Sequence, residues 1–407
     1  MTASIYLSSA ATPASRAETA PDASARADET TLESMHAWIE VDVASLRENA
    51  GRLHQRAGVP LVAMVKADAY GLGAVAVARA LGATFSDENS AIARTNDVPL
   101  WGLGIATIDE ARQLRAAGCT SRILCCTPLL RAEFGDAIAL SVTPALHVAH
   151  DIEQWGTLGG GAWHLAIDTG MARAGVRWDA VAPLRSALRQ YAPEAVFTHF
   201  HSAEMPDGTR AQQESRFADA RQSLADALPH TLLVHTDNSA AIAARGASDA
   251  DLVRPGIALY GAQEQPDLPL MQVVHLRARV VDIRDLQAGD GVGYGATFVA
   301  AQPRRIATVP VGYADGYRRH LSNRGEVLLN GVRCPVVGRV SMDMTTIDVS
   351  DVPCAVGDVV TLMGSSDGVT LTTDDVAARG ELSPYELLTG LRMRLSRVYT
   401  HASPGAG

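Results

Sequence analysis

Lysine occurs once in this chain, at position 66, and Lys66 is the first residue whose type and place indicate chemistry. Among 407 residues, 35 are lysine or arginine, and all but this one are arginine. Lys66 ends the apolar run 61–65, where a charged ammonium is costly unless it is paired or neutralised. Lysine can lose its proton and form Schiff bases, whereas arginine stays charged. We therefore expect Lys66 to supply a reactive amine; drift in an arginine-rich sequence is the alternative.

Three other polar side chains lie in or at the ends of β-forming runs: Asp168, His199 and His235. From about residue 44 to 270 such runs alternate with helix-like segments, of which 108–118 has helical apolar spacing and a terminal glycine. The predicted strands are 61–66, 100–105, 122–126, 138–142, 163–168, 195–200 and 232–235. This repetition favours an α/β fold, a (β/α)8 TIM-like barrel, with a doubly wound sheet as the alternative. In a barrel the carboxyl ends of the strands form the active site, so we expect these polar residues to lie together.

The pattern changes after about residue 272, where alternating β-branched segments dominate. They predict a mainly β C-terminal domain with strands at 273–283, 305–311, 327–329, 336–340 and 359–362, a turn at Asn330-Gly331 and a short helix at 384–396. The strand-like segment 36–43 is expected to join this domain. Residues 1–34, rich in Ala, Ser, Thr, Pro and Asp, predict a disordered tail. The predicted division is a tail at 1–34, a barrel at 35–271 and a β domain at 272–407.

Composition argues against several classes of function. The net charge is −10 and the aromatic content is 5%, so we expect no surface for nucleic acid or for an anionic membrane. No apolar stretch approaches the roughly 20 residues of a membrane-spanning helix. Five cysteines without zinc-type spacing predict neither a disulfide framework nor a metal site. This cysteine usage favours a reducing compartment, and hence the cytoplasm.

Six segments resemble motifs of the alanine racemases, a family of enzymes that use pyridoxal 5'-phosphate. In chain order they are VKADAYGLGA at 65–74, DTGMARAG at 168–175, RPGIALYG at 254–261, GYGATF at 293–298, VGYADGY at 311–317 and GRVSMD at 338–343. Each alone would be a weak signal, but the ordered set, running from about residue 36 to the end, is highly specific. The resemblance implies a barrel with a β domain, a head-to-tail homodimer with shared active sites, and interconversion of L- and D-alanine.

The resemblance implies two catalytic residues on opposite sides of the substrate. Lys66 would form a Schiff base with the cofactor aldehyde and then act as a base on one face of the substrate α-carbon. The partner subunit's Tyr294 would serve the other face, because a proton removed from one face must return to the other. Tyrosine is a poor base by itself, and the resemblance places His199 to assist Tyr294 or to face the cofactor ring. A buried structural histidine is the alternative for His199.

The resemblance also implies how the cofactor is held. Arg254 would contact the pyridine nitrogen and keep it unprotonated, and His235 would hold Arg254 by a hydrogen bond. Backbone N–H groups at a glycine-containing turn suit a phosphate. The residues expected around that phosphate are Tyr70, Asn238, Ser239, Gly256 and Ile257. Asn238 and Ser239 could otherwise simply cap a helix.

Further residues are implied for the substrate. Arg173 and the backbone N–H of the partner subunit's Met342 would bind the substrate carboxylate. Arg319, Arg339 and Glu204 resemble residues that line the substrate entrance. A solvated rim of charges is an equally good interpretation of these three residues.

The sequence departs from the family pattern beside Arg173. Alanine racemases commonly have a lysine two residues before the DTGM segment, carbamylated so that its negative charge orients the matching arginine. This chain has Ala166 there, and it contains no second lysine. Because a positive charge in a closed site needs compensation, we expect an anion such as chloride beside Arg173.

Two further departures concern the pocket and the barrel. Met393 takes the place of a tyrosine that in some relatives touches the phosphate and narrows the pocket, and methionine is flexible and has no hydroxyl. Residues 86–98 look like an insertion in the barrel. Alanine is therefore the expected substrate, with a broader or serine-type specificity as the alternative.

Two other classes of pyridoxal phosphate protein fit parts of the pattern. A barrel-type decarboxylase of basic amino acids would place an acid, not Arg254, at the pyridine nitrogen. A single-barrel protein of cofactor homeostasis would lack the β domain that carries Tyr294 and Met342. Both features favour the racemase.

Overall fold

The computed structural model describes residues 34–86, 98–229, 231–262 and 267–401. The predicted tail at 1–34, apart from Ser34, and the predicted insertion at 86–98, apart from its two end residues, lie outside these described residues. Within the described ranges no helix is long and apolar enough to cross a membrane, and no group of three or more His, Cys, Asp or Glu side chains could hold a metal ion. All five cysteines are described and are free.

Eight parallel strands form a closed barrel, which confirms the (β/α)8 prediction and rules out the doubly wound sheet. Each strand pairs with the next one round the ring, and the last pairs with the first through Val253 and Leu61. In order they are Leu61–Met64, Leu100–Ile105, Ile123–Cys125, Val142–Leu146, His164–Asp168, Ala195–Phe197, Leu233–Asn238 and Leu252–Arg254. A further short strand, Val176–Arg177, pairs with His164–Asp168. Most residues of these strands are buried, because the barrel interior and the helices cover both faces.

Helices surround the barrel. They are Val43–Ala57, Ala74–Ala80, Ile108–Ala116, Phe134–Ala139, Ala149–Thr157, Arg185–Gln190, Thr209–Ser223 and Ser239–Arg245, with 3-10 turns at Arg131–Glu133, Ala182–Leu184 and Ile257–Tyr260. The predicted helix at 108–118 is confirmed and ends at Ala116. Its N-cap is Thr107, whose hydroxyl accepts the Glu110 N–H while the Glu110 carboxylate accepts the Thr107 N–H. This reciprocal capping fixes where the helix begins.

The prediction of a strand at 138–142 is wrong. Residues Phe134–Ala139 form a helix, and the strand runs from Val142 to Leu146. Ser141 has a φ of 51°, which turns the chain between the two elements. A short apolar run fits a buried helix as well as a strand, so periodicity alone does not separate them. Nor does the pattern reveal the strand Leu252–Arg254, because three residues show no clear alternation.

The β domain contains a seven-stranded sheet, a three-stranded sheet and a small hairpin. The large sheet contains Ala37–Asp42, Val274–Arg279, Glu326–Leu329, Val332–Pro335, Val359–Ser366, Val369–Leu371 and Ser396–Thr400. The other strands are Asp282–Leu286, Arg304–Val309 and Thr345–Asp348 in the second sheet, and Gly291–Val292 and Phe298–Val299 in the hairpin. The helices are Thr373–Arg379 and Pro384–Gly390, with 3-10 turns at Tyr294–Ala296 and Arg319–Leu321.

Three predictions for this domain can be compared with its strands. The strand Ala37–Asp42 pairs with Val274–Arg279 and with Ser396–Thr400, which confirms that segment 36–43 joins the β domain. The Asn330-Gly331 turn is confirmed, and both residues have positive φ, 52° and 73°. The strand predicted at 336–340 is wrong, because the hairpin partner lies earlier, at Val332–Pro335, and Val336 forms only an isolated bridge.

The helix predicted at 384–396 is shorter than expected. It stops at Gly390, and Ser396 already begins the last strand. Ser383 and Glu386 cap its start reciprocally, with proline at the first helical position. Its start could therefore be read from the sequence, but its end could not.

Candidate active site

A cavity of about 620 Å³ lies at the carboxyl ends of the barrel strands. Lys66 follows the strand Leu61–Met64, and Arg254 ends the strand Leu252–Arg254. Closure of the barrel brings these distant parts of the chain to one place. The cavity has a volume typical of cofactor sites. The sequence-predicted residues that line it are Lys66, Tyr70, Asp168, Arg173, His199, Asn238, Ser239, Arg254 and Gly256.

Four other predicted residues lie outside the cavity lining. His235 is fully buried beside Arg254, and Ile257 is fully buried next to Gly256. Tyr294 and Met342 belong to the β domain, and their side chains are 70% and 53% exposed. These two residues therefore do not line the cavity of their own chain.

The backbone after Lys66 forms a left-handed turn. Residues 67–70 all have positive φ, between 52° and 58°. Left-handed backbone costs a residue other than glycine roughly 1–2 kcal/mol, so four in succession must be held by their surroundings. The Glu110 carboxylate accepts the Ala67 N–H at 2.6 Å, and the Asp68 carboxylate accepts a backbone N–H of the next helix at 2.7 Å. The turn thus fixes the backbone from which Lys66 extends.

Arg254 is buried at the cavity and is held at both terminal nitrogens. Nη1 donates to Nδ1 and to the carbonyl of His235, both at 2.7 Å. Nη2 donates to the carbonyls of Thr198 and Thr236, at 2.8 and 3.1 Å. Among the residues that the structure describes, none accepts the Arg254 Nε–H. The guanidinium is therefore fixed, with one donor left for a ligand.

A row of polar groups runs from Arg254 to the surface of the barrel. His235 Nε2 lies 2.9 Å from His164 Nδ1, and His164 Nε2 lies 3.4 Å from a Glu194 carboxylate oxygen. Glu194 pairs in turn with Arg122 at 2.5 Å. Burial lowers the pKa of both histidines, so both are neutral near pH 7. His164 and Glu194 were not among the predicted site residues; the one signal was a histidine in an otherwise apolar strand.

The expected phosphate site is a narrow cradle of backbone and hydroxyl groups. Ser239 Oγ accepts the Gly256 N–H at 2.8 Å. A Cβ on Gly256 would lie 2.3 Å from the Tyr70 hydroxyl, so only glycine allows this approach. Asn238 accepts a backbone N–H of the following helix and also lines the cavity, so helix capping and ligand contact are compatible. The donor set suits a phosphate.

The cavity that Arg173 lines has an apolar part around Ala166, and Asp168 lines the same cavity. Ala166 packs with Ala145 and Phe197 in a small buried cluster, and all three line the cavity with Arg173. No carboxylate in the described ranges forms an ion pair with Arg173. The position where the family commonly has a lysine therefore offers neither a positive nor a negative charge.

His199 faces the cavity among positive charges. Burial lowers its pKa to about 3, and the charges of Arg254, Arg173 and Lys66 contribute to this shift. The imidazole is therefore neutral near pH 7, with one donor and one acceptor nitrogen.

Cys126 and Tyr385 are among the cavity residues that the sequence did not indicate. Cys126 follows the strand Ile123–Cys125, and burial raises the pKa of its thiol. Tyr385 comes from the β domain, and its ring centroid lies 6.0 Å from that of Tyr70. Met393, by contrast, is 77% exposed and does not line the cavity. Within a single chain Tyr385 therefore forms part of the cavity wall, and the expectation that Met393 takes the place of a tyrosine stays a prediction.

The three predicted entrance residues lie outside the cavity lining. Arg319, Arg339 and Glu204 are all exposed. Arg339 and Arg319 belong to the β domain and Glu204 to the barrel. Their role at the substrate entrance stays a prediction.

Two protein-family profiles match most of the sequence: the alanine racemase N-terminal domain at residues 41–264 and the alanine racemase C-terminal domain at residues 273–399. The chain belongs to the alanine racemase family. The alanine racemase of Syntrophobacter fumaroxidans is 37% identical over 376 residues, which cover 86% of this chain and 94% of that protein. The alanine racemase of Symbiobacterium thermophilum is 37% identical over 382 residues, which cover 89% and 96%.

Solved structures of alanine racemases have the same fold. The enzyme of Streptomyces coelicolor superposes with a TM-score of 0.81 at 29% identity, covering 91% of this chain and 99% of that chain. The alanine racemase of Bartonella henselae, solved with covalently bound pyridoxal phosphate, superposes with a TM-score of 0.77 at 30% identity, covering 90% and 100%. Membership of the alanine racemase family makes this chain a racemase, which is an isomerase. The decarboxylase and single-barrel alternatives are set aside.

Proposed function

We propose that this alanine racemase family member interconverts L- and D-alanine with pyridoxal 5'-phosphate as its cofactor. The observation that carries the proposal is that the chain's one lysine, Lys66, lines the same cavity as the fixed, buried Arg254. When bound, the cofactor would draw electrons from the substrate α-carbon and make its proton acidic. The protein would supply the groups that hold the cofactor and move the proton.

The cavity residues fit this cofactor. Arg254 keeps one donor for the pyridine nitrogen and would hold it unprotonated, while His235 fixes Arg254 from behind. The cradle around Gly256 offers hydroxyl and amide groups for the phosphate. The residues that would hold the cofactor are Lys66, Tyr70, His199, His235, Asn238, Ser239, Arg254, Gly256 and Ile257.

Racemisation needs proton transfer on both faces of the α-carbon. Lys66 would take the proton on one face, and the partner subunit's Tyr294 would return a proton on the other. Tyr294 is largely exposed and lies outside the cavity of its own chain, which supports a homodimer with shared sites. The substrate carboxylate would be bound by Arg173 and by the N–H of the partner subunit's Met342.

A broader or serine-type specificity is the alternative. Ala166 favours it, because alanine at this position leaves Arg173 without the usual anionic neighbour. We propose chloride as the compensating anion beside Arg173. We also propose a cytoplasmic location, supported by the five free cysteines, and a division into a tail at 1–34, a barrel at 35–271 and a β domain at 272–407 to which strand Ala37–Asp42 is added.

The proposal is tested first with purified protein. We expect it to be yellow, to lose its colour on borohydride treatment, and to carry the label on Lys66. Single L-amino acids are then supplied, and the D-isomer is measured by chiral chromatography. Release of CO2 in place of the enantiomer would refute the racemase assignment.

Tyr294→Phe tests the two-sided mechanism. We expect it to keep the cofactor but to cripple racemisation from both enantiomers, because each direction needs a proton transfer on the face that Tyr294 would serve. Tyr191→Phe is the control, since Tyr191 lies on the barrel surface, where its hydroxyl contacts Gln190. An unaffected rate in Tyr294→Phe would remove Tyr294 from the mechanism.

A further inference from the structure

The last strand of the chain, Ser396–Thr400, contacts the turn that follows Lys66. The Tyr399 hydroxyl donates to the Leu72 carbonyl at 2.9 Å. Gly73 has a φ of 93°, and a Cβ there would lie 2.1 Å from that hydroxyl, so only glycine fits. The β domain thus reaches the backbone of the lysine turn from outside the cavity.

Arg397, in the same strand, makes the larger contact. Its Nε and Nη2 donate to the Gly71 carbonyl at 3.0 and 2.8 Å. Its remaining bonds go to the segment just before the strand, where Nη2 donates to Leu391 at 3.1 Å and Nη1 to Arg392 and Leu395 at 2.7 and 2.6 Å. All the acceptors are backbone carbonyls. One guanidinium therefore ties the end of the lysine turn to the C-terminal segment.

The turn needs support from outside because of its own conformation. Residues 67–70 have positive φ, which L-residues disfavour. Glu110 holds the first N–H of this stretch, and Arg397 holds the carbonyl of Gly71 at the other end. Only the planar guanidinium of arginine can donate to these several carbonyls at once, because lysine would offer a single point charge. Misplacing a reacting group by about 1 Å can cost about 100-fold in rate.

We propose that Arg397 is a positioning residue, which acts through the Gly71 carbonyl to keep the turn left-handed and Lys66 in place. Arg397 does not line the cavity, so it does not touch substrate or cofactor. The inference rests on the proposed function, in that Lys66 is taken as the reacting amine. It also gives the contact between the two domains a role in the reaction.

The test compares Arg397→Lys with the control Arg115→Lys in the full chain. Arg115 lies on the helix Ile108–Ala116 and, like Arg397, has a partly buried guanidinium whose pKa burial lowers. Both substitutions keep the charge and remove the fork, so we expect similar losses of thermal stability. The carbonyls that accept from Arg115 belong to Cys119, Ser121, Leu140 and Ser141.

Two readouts separate positioning from general stability. Amide hydrogen exchange of peptide 66–74 is measured with and without pyridoxal phosphate, and kcat is measured for both alanine enantiomers. In Arg397→Lys we expect several-fold faster exchange in this peptide, whether or not the cofactor is present, and a fall in kcat of about tenfold or more. Arg115→Lys should match the wild type in the exchange rate of this peptide and in kcat. Unchanged exchange in Arg397→Lys, or equal kcat losses in the two variants, would overturn the proposal.

A milder variant covers the case in which Arg397→Lys does not fold. Tyr399→Phe removes one hydroxyl bond and should speed exchange of the same peptide to a smaller extent; unchanged exchange there would count against the inference. A wild-type chain that racemises no amino acid would refute the proposed function. In that case, faster exchange of peptide 66–74 in Arg397→Lys than in the wild type would still show that Arg397 stabilises the turn.

Discussion

His164 and His235 share a buried hydrogen bond of 2.9 Å between His164 Nδ1 and His235 Nε2. Arginine is only ever a donor, so Arg254 Nη1 makes His235 Nδ1 an acceptor without a proton. The His235 proton is then on Nε2 and is donated to His164. His164 must carry its own proton on Nε2, which faces Glu194. One arginine therefore sets the tautomers of both histidines.

Glu194 ends this row with a negative charge. Removing that charge should change how the two histidines hold Arg254. We expect Glu194→Gln to lower kcat several-fold with little change in KM, because His164 would lose the charge that orients it. The ion pair of Glu194 with Arg122 is partly exposed and is worth about 0–1 kcal/mol, so the free energy of unfolding should change little. Steady-state racemisation and urea unfolding measure the two effects.

Asp151→Asn is the matched control for Glu194→Gln. Asp151 pairs with Arg131 at 2.6 Å, and their side chains are 21% and 53% exposed, against 24% and 53% for Glu194 and Arg122. Within the part of the chain that the structure describes, Asp151 makes no hydrogen bond to His164 or His235. Equal values of kcat in the two variants would show that the row of histidines does not act on Arg254.

Stability should fall as the pH drops below about 6.5, because the fold holds several histidines neutral, among them His164, His199 and His235. Burial lowers the pKa of His164 and His235, and lowers that of His199 to about 3. The unfolded chain binds these protons near a pKa of about 6.5, so stability is complete above that pH and is lost below it. For His199 alone the loss reaches about 2 kcal/mol at about pH 5.

Urea unfolding at about pH 7.5 and about pH 5 measures this dependence. His199→Gln removes one titrating group, so its free energy of unfolding should fall less between the two pH values than that of the wild type. If the variant and the wild type lose the same free energy, His199 is not held neutral in the folded chain.

Tyr385, and not Met393, should limit the size of the substrate side chain. Tyr385 lines the cavity, whereas Met393 is largely exposed. Burial raises the pKa of Tyr385 to about 12, so its ring keeps a neutral hydroxyl at the pH of an assay. We expect Tyr385→Ala to raise kcat/KM for serine relative to alanine and Met393→Ala to leave that ratio unchanged. If Met393→Ala raised this ratio and Tyr385→Ala did not, Met393 and not Tyr385 would limit the substrate side chain.

An anion beside Arg173 should make racemisation depend on halide. Ala166, Ala145 and Phe197 carry no charge, and Arg173 forms no ion pair with a carboxylate in the described ranges, so we expect a mobile ion to supply the negative charge. We expect a lower rate in chloride-free buffer and recovery on adding chloride or bromide. Ala166→Asp supplies a fixed charge and should lose the dependence. Equal wild-type rates with and without halide would show that Arg173 needs no ion.

Features that depend on neighbouring residues could be predicted from the sequence. The Asn330-Gly331 hairpin follows from turn chemistry, and the helix at 108–116 from its spacing and caps. The prediction at 138–142 failed because an apolar run this short fits a helix or a strand. Packing against the barrel decided between them, and packing is not visible in a local window.

By itself the sequence determined which amine could react, since Lys66 is the only lysine, and that strand–helix units would repeat, since periodicity is set residue by residue. The tertiary structure alone decided that Glu194 stands behind Arg254 and that Arg397 holds the lysine turn. These contacts join residues far apart in the chain. No local pattern specifies which side chain will face which across a closed barrel and a second domain.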